Sequence, residues 1–202
     1  MPKPSIAILG WGSLIWDTGH KGAAEFDRWH GPWLDDGPSL KLEFSRISMK
    51  SRPGALTLVI DGVHGAVCSV KYCFSTRTNP NEAFEDLRRR ESIPRNKDGD
   101  IPPSIGRAFR NSVPVARDEA CLAEIQNWAR RKDVDAVAWT DLASNFEKVK
   151  EVPYSVGAAL DHLGTVKADV LSVIREYVNR APACVQTEFR RAFEASAYNK
   201  NS

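Results

Sequence analysis

Two places in the chain gather residue types whose spacing could do chemistry. The first is Gly10-Trp11-Gly12-Ser13-Leu14-Ile15-Trp16. It follows Ile6, Ala7, Ile8 and Leu9, a continuous apolar run expected of a strand buried on both faces. Glycines this soon after a buried strand let the backbone turn tightly and let a ligand approach its N–H groups. Successive amides turned into a concavity suit a carboxylate or an oxyanion. The same spacing also suits a tight turn whose tryptophans belong to the core. The second place is Glu91. Residues 79–93 read as a helix whose apolar face carries Ala83, Phe84 and Leu87, and continuing that face by four residues arrives at Glu91. Burial disfavours the charged form of a carboxylate, which suits a proton-transfer role. The alternative is a frayed helix end, with Glu91 exposed or paired to an arginine.

Other chemistries find little support. His20, His30, His64 and His162 are scattered, and none pairs with another ligand at helical or finger spacing. Gly10-Trp11-Gly12-Ser13 is not a Gly-x-Ser-x-Gly nucleophile elbow, and no phosphate-loop pattern follows Gly10. A formal net charge of +2 argues for neither nucleic acid nor a membrane surface. The run Arg88-Arg89-Arg90 reads as a solvated helix face. Cys68, Cys73, Cys121 and Cys184 lack metal-ligand spacing and read as reduced packing residues of a cytoplasmic protein. No signal peptide and no bilayer-spanning run is expected. One anion cradle and one general base remain, enough for proton transfer on a small zwitterionic substrate without metal or cofactor.

The elements that must position these groups divide the chain into a strand-rich first half and a helix-rich second half. After the loop, residues 17–38 are rich in Gly, Pro, Asp and Trp and read as an ordered, lid-like loop with a short helix. Leu40, Leu42 and Phe44 alternate with Lys41, Glu43 and Ser45 as in a half-buried strand. Ser51-Arg52-Pro53-Gly54 is a turn, residues 55–60 a strand, Asp61-Gly62-Val63-His64-Gly65 a hairpin turn, and residues 66–74 a third strand, so an antiparallel meander is expected. Asn79-Pro80-Asn81-Glu82 caps a helix that Pro94 ends. Residues 94–116 read as a polar surface excursion in which 113–115 could form a strand. A helix at 118–132, a strand at 134–139, a short helix at 155–163 and helices at 167–180 and after Pro182 complete the reading, with a disordered tail from Asn199.

Several of these segments resemble the γ-glutamylcyclotransferase-like proteins, and the ChaC-type branch most. Gly10-Trp11-Gly12-Ser13-Leu14-Ile15-Trp16 is similar to the Tyr-Gly-Ser-Leu loop that opens the family, which in that branch continues with Ile-Trp. Arg52-Pro53-Gly54 with the following Leu56-Thr57-Leu58-Val59, then Gly65 to Tyr72, and then Leu87-Arg88-Arg89-Arg90-Glu91 resemble its later segments in the same order. The resemblance implies an α+β fold: a γ-glutamylcyclotransferase-like small mixed β-barrel surrounded by helices. The whole chain would be one domain, with residues 1–165 the barrel core and 166–198 a C-terminal helical extension. It implies that Gly10, Trp11, Gly12, Ser13 and Leu14 hold a γ-glutamyl group. Glu91 would be the general acid/base for attack of the substrate's α-amine on its own γ-carbonyl, releasing 5-oxoproline and an amine. Arg46, on a strand aimed at the barrel mouth, is a candidate for the substrate carboxylate. Trp11 stands where the family has tyrosine, and Ser92-Ile93-Pro94 follows Glu91 where the branch has a glycine-rich segment. The resemblance therefore leaves the particular γ-glutamyl substrate unnamed.

The rival from another class is a non-catalytic small-molecule or protein-binding module on the same scaffold. No nucleic-acid or membrane partner is expected. A homodimer through the C-terminal helices is compatible with their apolar stripes.

Overall fold

The apolar run before the glycines forms β1 (Ile6–Gly10), buried at every position. In this computed structural model, which describes residues 3–18, 23–50, 52–110 and 112–199, the chain continues in order. It passes through α1 (Ala23–Phe26), β2 (Ser39–Ile47), β3 (Leu56–Ile60), β4 (Ala66–Ser69), β5 (Lys71–Phe74), α2 (Pro80–Arg90) and β6 (Ile105–Phe109). It ends through α3 (Glu119–Arg131), β7 (Ala136–Thr140), α4 (Phe146–Lys150), α5 (Val156–Leu163), α6 (Ala168–Arg180) and α7 (Glu188–Ala195). His20, Ser51 and the last three residues lie outside the described residues, and Asn199 closes a short 3-10 turn. No helix is long and apolar enough to cross a membrane among the described residues.

The architecture is α+β, with two sheets and no closed barrel among the described residues. The expected barrel is corrected by the pairing itself. One sheet has the order β5-β1-β7-β6 and the other β3-β2-β4. The expected meander fails for the same reason, because β2 lies between β3 and β4. The 61–65 turn therefore carries the chain across the end of β2, where the Asp61 amide donates to the Lys41 carbonyl at 2.9 Å. The single strand read at 66–74 breaks at Val70 into β4 and β5, one for each sheet.

The chain divides into two compact units, each assembled from two stretches: Met1–Ser39 with Ser69–Leu142, and Leu40–Cys68 with Ala143–Ser202. In the first unit β1 runs parallel to β7 and antiparallel to β5, while β6 runs antiparallel to β7. The register places Ile6, Ile8, Ala136, Ala138, Ile105 and Cys73 on one face. These residues form a single cluster with Ala83, Phe84 and Leu87, the buried stripe of α2. Tyr72 and Leu9 face the other way, and Trp128 of α3 meets Tyr72 edge-on with ring centroids 4.9 Å apart. Residues 105–109, read from sequence as surface excursion, are a strand of this sheet. Gly106 is required there because the Trp139 indole lies across its backbone.

In the second unit the β3-β2-β4 sheet is packed by helices from the far end of the chain. Phe44 on β2 meets Tyr177 of α6 and Phe189 of α7, with centroids 5.9 and 5.4 Å apart. The alternation that put Glu43 and Ser45 outward is overturned, since both are completely buried. A register shift between Glu43 and Arg46 breaks the simple period, and α7 lies beside this segment: the Phe189 amide donates to Glu43 Oε2 at 3.3 Å.

Candidate active site

The glycine loop forms as the sequence spacing requires, but its amides are partly used. After Gly10 leaves the sheet, the Ile15 amide donates to the Gly12 carbonyl at 3.0 Å, and the Asp17 amide to the Ser13 carbonyl at 2.9 Å. Gly12, Ser13 and Leu14 form the outer arc of this turn. Trp11 is buried, and Leu14 enters the apolar cluster under α2. Gly10 has a packing explanation. A Cβ there would stand 2.7 Å from two ring carbons of Trp33, so the indole rests directly on the glycine.

Helix α2 starts where its capping residues predict. Asn79 Oδ1 accepts from the Asn81 amide and Pro80 takes the first helical position. Its end is corrected by a few residues. The helix stops at Arg90 with Glu91 as C-cap, well before Pro94. Ser92 adopts a left-handed φ of 52°, its amide donates to the Arg89 carbonyl, and the Ile93 amide donates to the Arg88 carbonyl. This is the Schellman closure that satisfies the last carbonyls of a helix. Ile93 then turns back into the apolar cluster. Glu91 is thus fixed by a formed helix end, and its side chain retains 21% of its exposure. Its Oε1 is closed off from solvent and stands 4.0 Å from Arg90 Nη1.

Arg90 is the residue that sequence reasoning missed. The run of three arginines reads as a solvated face, yet the Arg90 side chain is only 2% exposed. Its Nη2 donates to the Ser13 carbonyl at 3.1 Å and to the Asp17 carbonyl at 2.8 Å. The guanidinium therefore joins the end of α2 to the glycine loop. The signal was in the helical period, since Arg90 stands three residues after Leu87 on the face that also carries Ala83. Arg88 is also largely covered and forms a two-pronged pair with Glu85 at 2.7 and 2.8 Å, so only Arg89 of the three is half-exposed.

The structure thus brings together the 10–14 loop and the helix end carrying Glu91, both in the first unit. Arg46 belongs to the second. Its Nη1 donates to the Ala143 carbonyl at 2.6 Å, beside a stretch where the Asn145 side-chain amide exchanges hydrogen bonds with both backbone groups of Ile47. Arg46 is used there to hold residues 143–145 along β2. No group of three or more His, Cys, Asp or Glu side chains suited to a metal ion occurs among the described residues. Comparison of the chain with family models, with curated proteins and with solved structures found no match.

Proposed function

We propose that the first unit carries a cofactor-independent γ-glutamylcyclotransferase-like activity, on an open-sheet version of that family's fold. The observation that carries this reading is the Arg90 bridge. It ties the Ser13 to Asp17 loop to the helix end, so that the next residue, Glu91, is presented beside the loop with one oxygen sheltered from water. Gly12, Ser13 and Leu14 would receive the γ-carbonyl, where amide donors stabilise charge that develops on its oxygen. With the substrate's α-amine in its neutral form, Glu91 would take the proton that this nitrogen loses as it attacks the γ-carbon. A C–N bond forms to close the five-membered lactam. Glu91 returns its proton to the departing nitrogen, and the γ-amide C–N bond breaks to release 5-oxoproline and an amine. Because the attack is intramolecular, holding the substrate folded supplies much of the rate. The setting would be the cytoplasm, with reduced cysteines.

The test is a mass-spectrometric assay for 5-oxoproline over a panel of γ-glutamyl amines, γ-glutamyl dipeptides and glutathione. Wild type is expected to form product from at least one member, and folded Glu91→Gln to lose about 100-fold or more of that rate. One observation favours the rival reading, a binding module. Trp33 covers Gly10, so the first glycine is accounted for by packing alone. Absence of product from the whole panel, with a ligand still held by the loop and unaffected by Glu91→Gln, would decide for that rival.

A further inference from the structure

On the face of the first sheet that α2 covers, the side-chain positions are Lys71 and Cys73 on β5, Ile6, Ile8 and Gly10 on β1, Ala136, Ala138 and Thr140 on β7, and Ile105, Arg107 and Phe109 on β6. Two of these are cations. Lys71 is matched, since its Nζ lies 2.5 Å from Asp35 Oδ1. Arg107 has no carboxylate at ion-pair distance among the described residues, and Asp100 acts on it only through space. Its one direct protein acceptor there is the Ile105 carbonyl, reached by Nη1 at 3.1 Å. Partial burial of the guanidinium pulls its pKa below the usual arginine value, and the more distant Asp100 offsets this only in part.

The direction of that side chain matters. Arg107 opposes Ala138, which pairs in turn with Ile8, so Arg107 stands two strand spacings, about 10 Å, from β1. Ala138 and Ile8 are both buried in the cluster under α2. The bond to the Ile105 carbonyl folds the guanidinium back along β6, because Ile105 pairs with Thr140 at the end of β7. Since β1 and β7 are parallel, this is the same sheet end at which Gly10 gives way to the glycine loop. The C-terminus of α2 with Glu91 is tied to that loop by Arg90. A planar fork with several donors to spare is matched best by a carboxylate.

We propose that Arg107 anchors a carboxylate of the small-molecule ligand on this face, in the place that sequence reading gave to Arg46. The inference rests on the reading of this face as the substrate side. It narrows the ligand to molecules carrying a carboxylate set back from the reacting carbonyl. Arg107 binds and orients; it moves no proton.

A binding experiment separates this inference from the catalytic reading. 5-Oxoproline and its carboxamide differ in one charge and are not turned over, so both can be titrated into the intact protein and followed by NMR. Wild type is expected to bind 5-oxoproline roughly tenfold or more tighter than the carboxamide. Arg107→Gln is expected to bring the ratio to about one, and Arg107→Lys, which keeps the charge but loses the fork, to an intermediate value. Wild type without a preference, or Arg107→Gln with the preference intact, overturns the inference. An Arg107-dependent preference in a protein that makes no 5-oxoproline from the γ-glutamyl panel supports the anion site and removes the cyclisation reading.

Discussion

Replacing Arg90 with methionine keeps much of the side-chain volume and removes the donors that hold the Ser13 and Asp17 carbonyls. Hydrogen bonds from a charged donor carry about 1.5–3 kcal/mol each, and here an almost wholly buried side chain makes two. Arg90→Met is therefore expected to lower unfolding stability by about 3 kcal/mol or more in urea titration, and to lower turnover at temperatures where the variant is still folded. Glu91→Gln, by contrast, is expected to leave stability within about 1 kcal/mol of wild type, because the role proposed for it is proton transfer and the helix end is closed by backbone bonds. A stability loss of equal size in both variants would show that Glu91 is a structural cap and would count against its catalytic assignment. The two residues also differ in how they stand out in the sequence. Glu91 interrupts an apolar stripe, and interruption is visible in sequence. Arg90 sits inside a run of three arginines, and composition hides which of them the helix turns inward.

At the scale of the element, α2 is held to its surroundings by a second arginine cluster that also has a pH signature. Glu85 receives the forked pair from Arg88, a bond from Arg89 at 3.0 Å and an ion pair with Arg95 at 3.0 Å. The Arg88 pair, helped by Arg89 and Arg95, pulls the Glu85 carboxyl down to about 2 from an ordinary 4.5. The folded-state pKa is depressed, so the stabilisation is present in full above about pH 4.5. It is lost as pH falls from there through about 2. Glu85→Gln is expected to cost on the order of 2 kcal/mol at neutral pH and to flatten the acid limb of the stability curve between about pH 4.5 and 2. An unchanged acid limb in Glu85→Gln would show that the cluster contributes nothing net.

Element starts were legible because their chemistry is local. Asn79, Asp118 and Ser155 each accept from an amide two or three residues on, as cap positions should. Strand partners were not local. The Asp61-Gly62 turn has every mark of a hairpin, yet those marks describe only how the chain reverses, and β2 occupies the place between the two strands. Strand β6 was missed because Gly106 weakens the strand pattern. The reason for that glycine, the Trp139 ring, lies on another strand.

For the whole molecule, the chain order hides which helices belong to which sheet. Residues 166–202 resemble an appendix when read in sequence, because they follow everything that looks like a site. In the structure their stripes are spent on the second unit. Ile174, Tyr177, Val178, Val185, Phe189 and Phe193 are all buried, and Phe44 of β2 lies against Tyr177 and Phe189. At about 1.5–3 kcal/mol for each buried apolar side chain, these six account for on the order of 10 kcal/mol, comparable to the whole stability of an ordinary domain. Their removal would also uncover the completely buried Glu43, whose carboxyl is raised by burial and which accepts the Phe189 amide. Deletion of residues 166–202 is therefore expected to unfold the second unit rather than to yield a trimmed protein with its sheets intact. Hydrogen exchange reads this directly. Amides of β2 and β3 should lose protection, while those of β1 and β7, whose ladders lie within the first unit, should keep theirs. Full protection of β2 and β3 in the truncated chain would return these helices to the status of an appendix, with dimerisation as their remaining use. Loss confined to β2 and β3 would make them the part of the core that the chain supplies last.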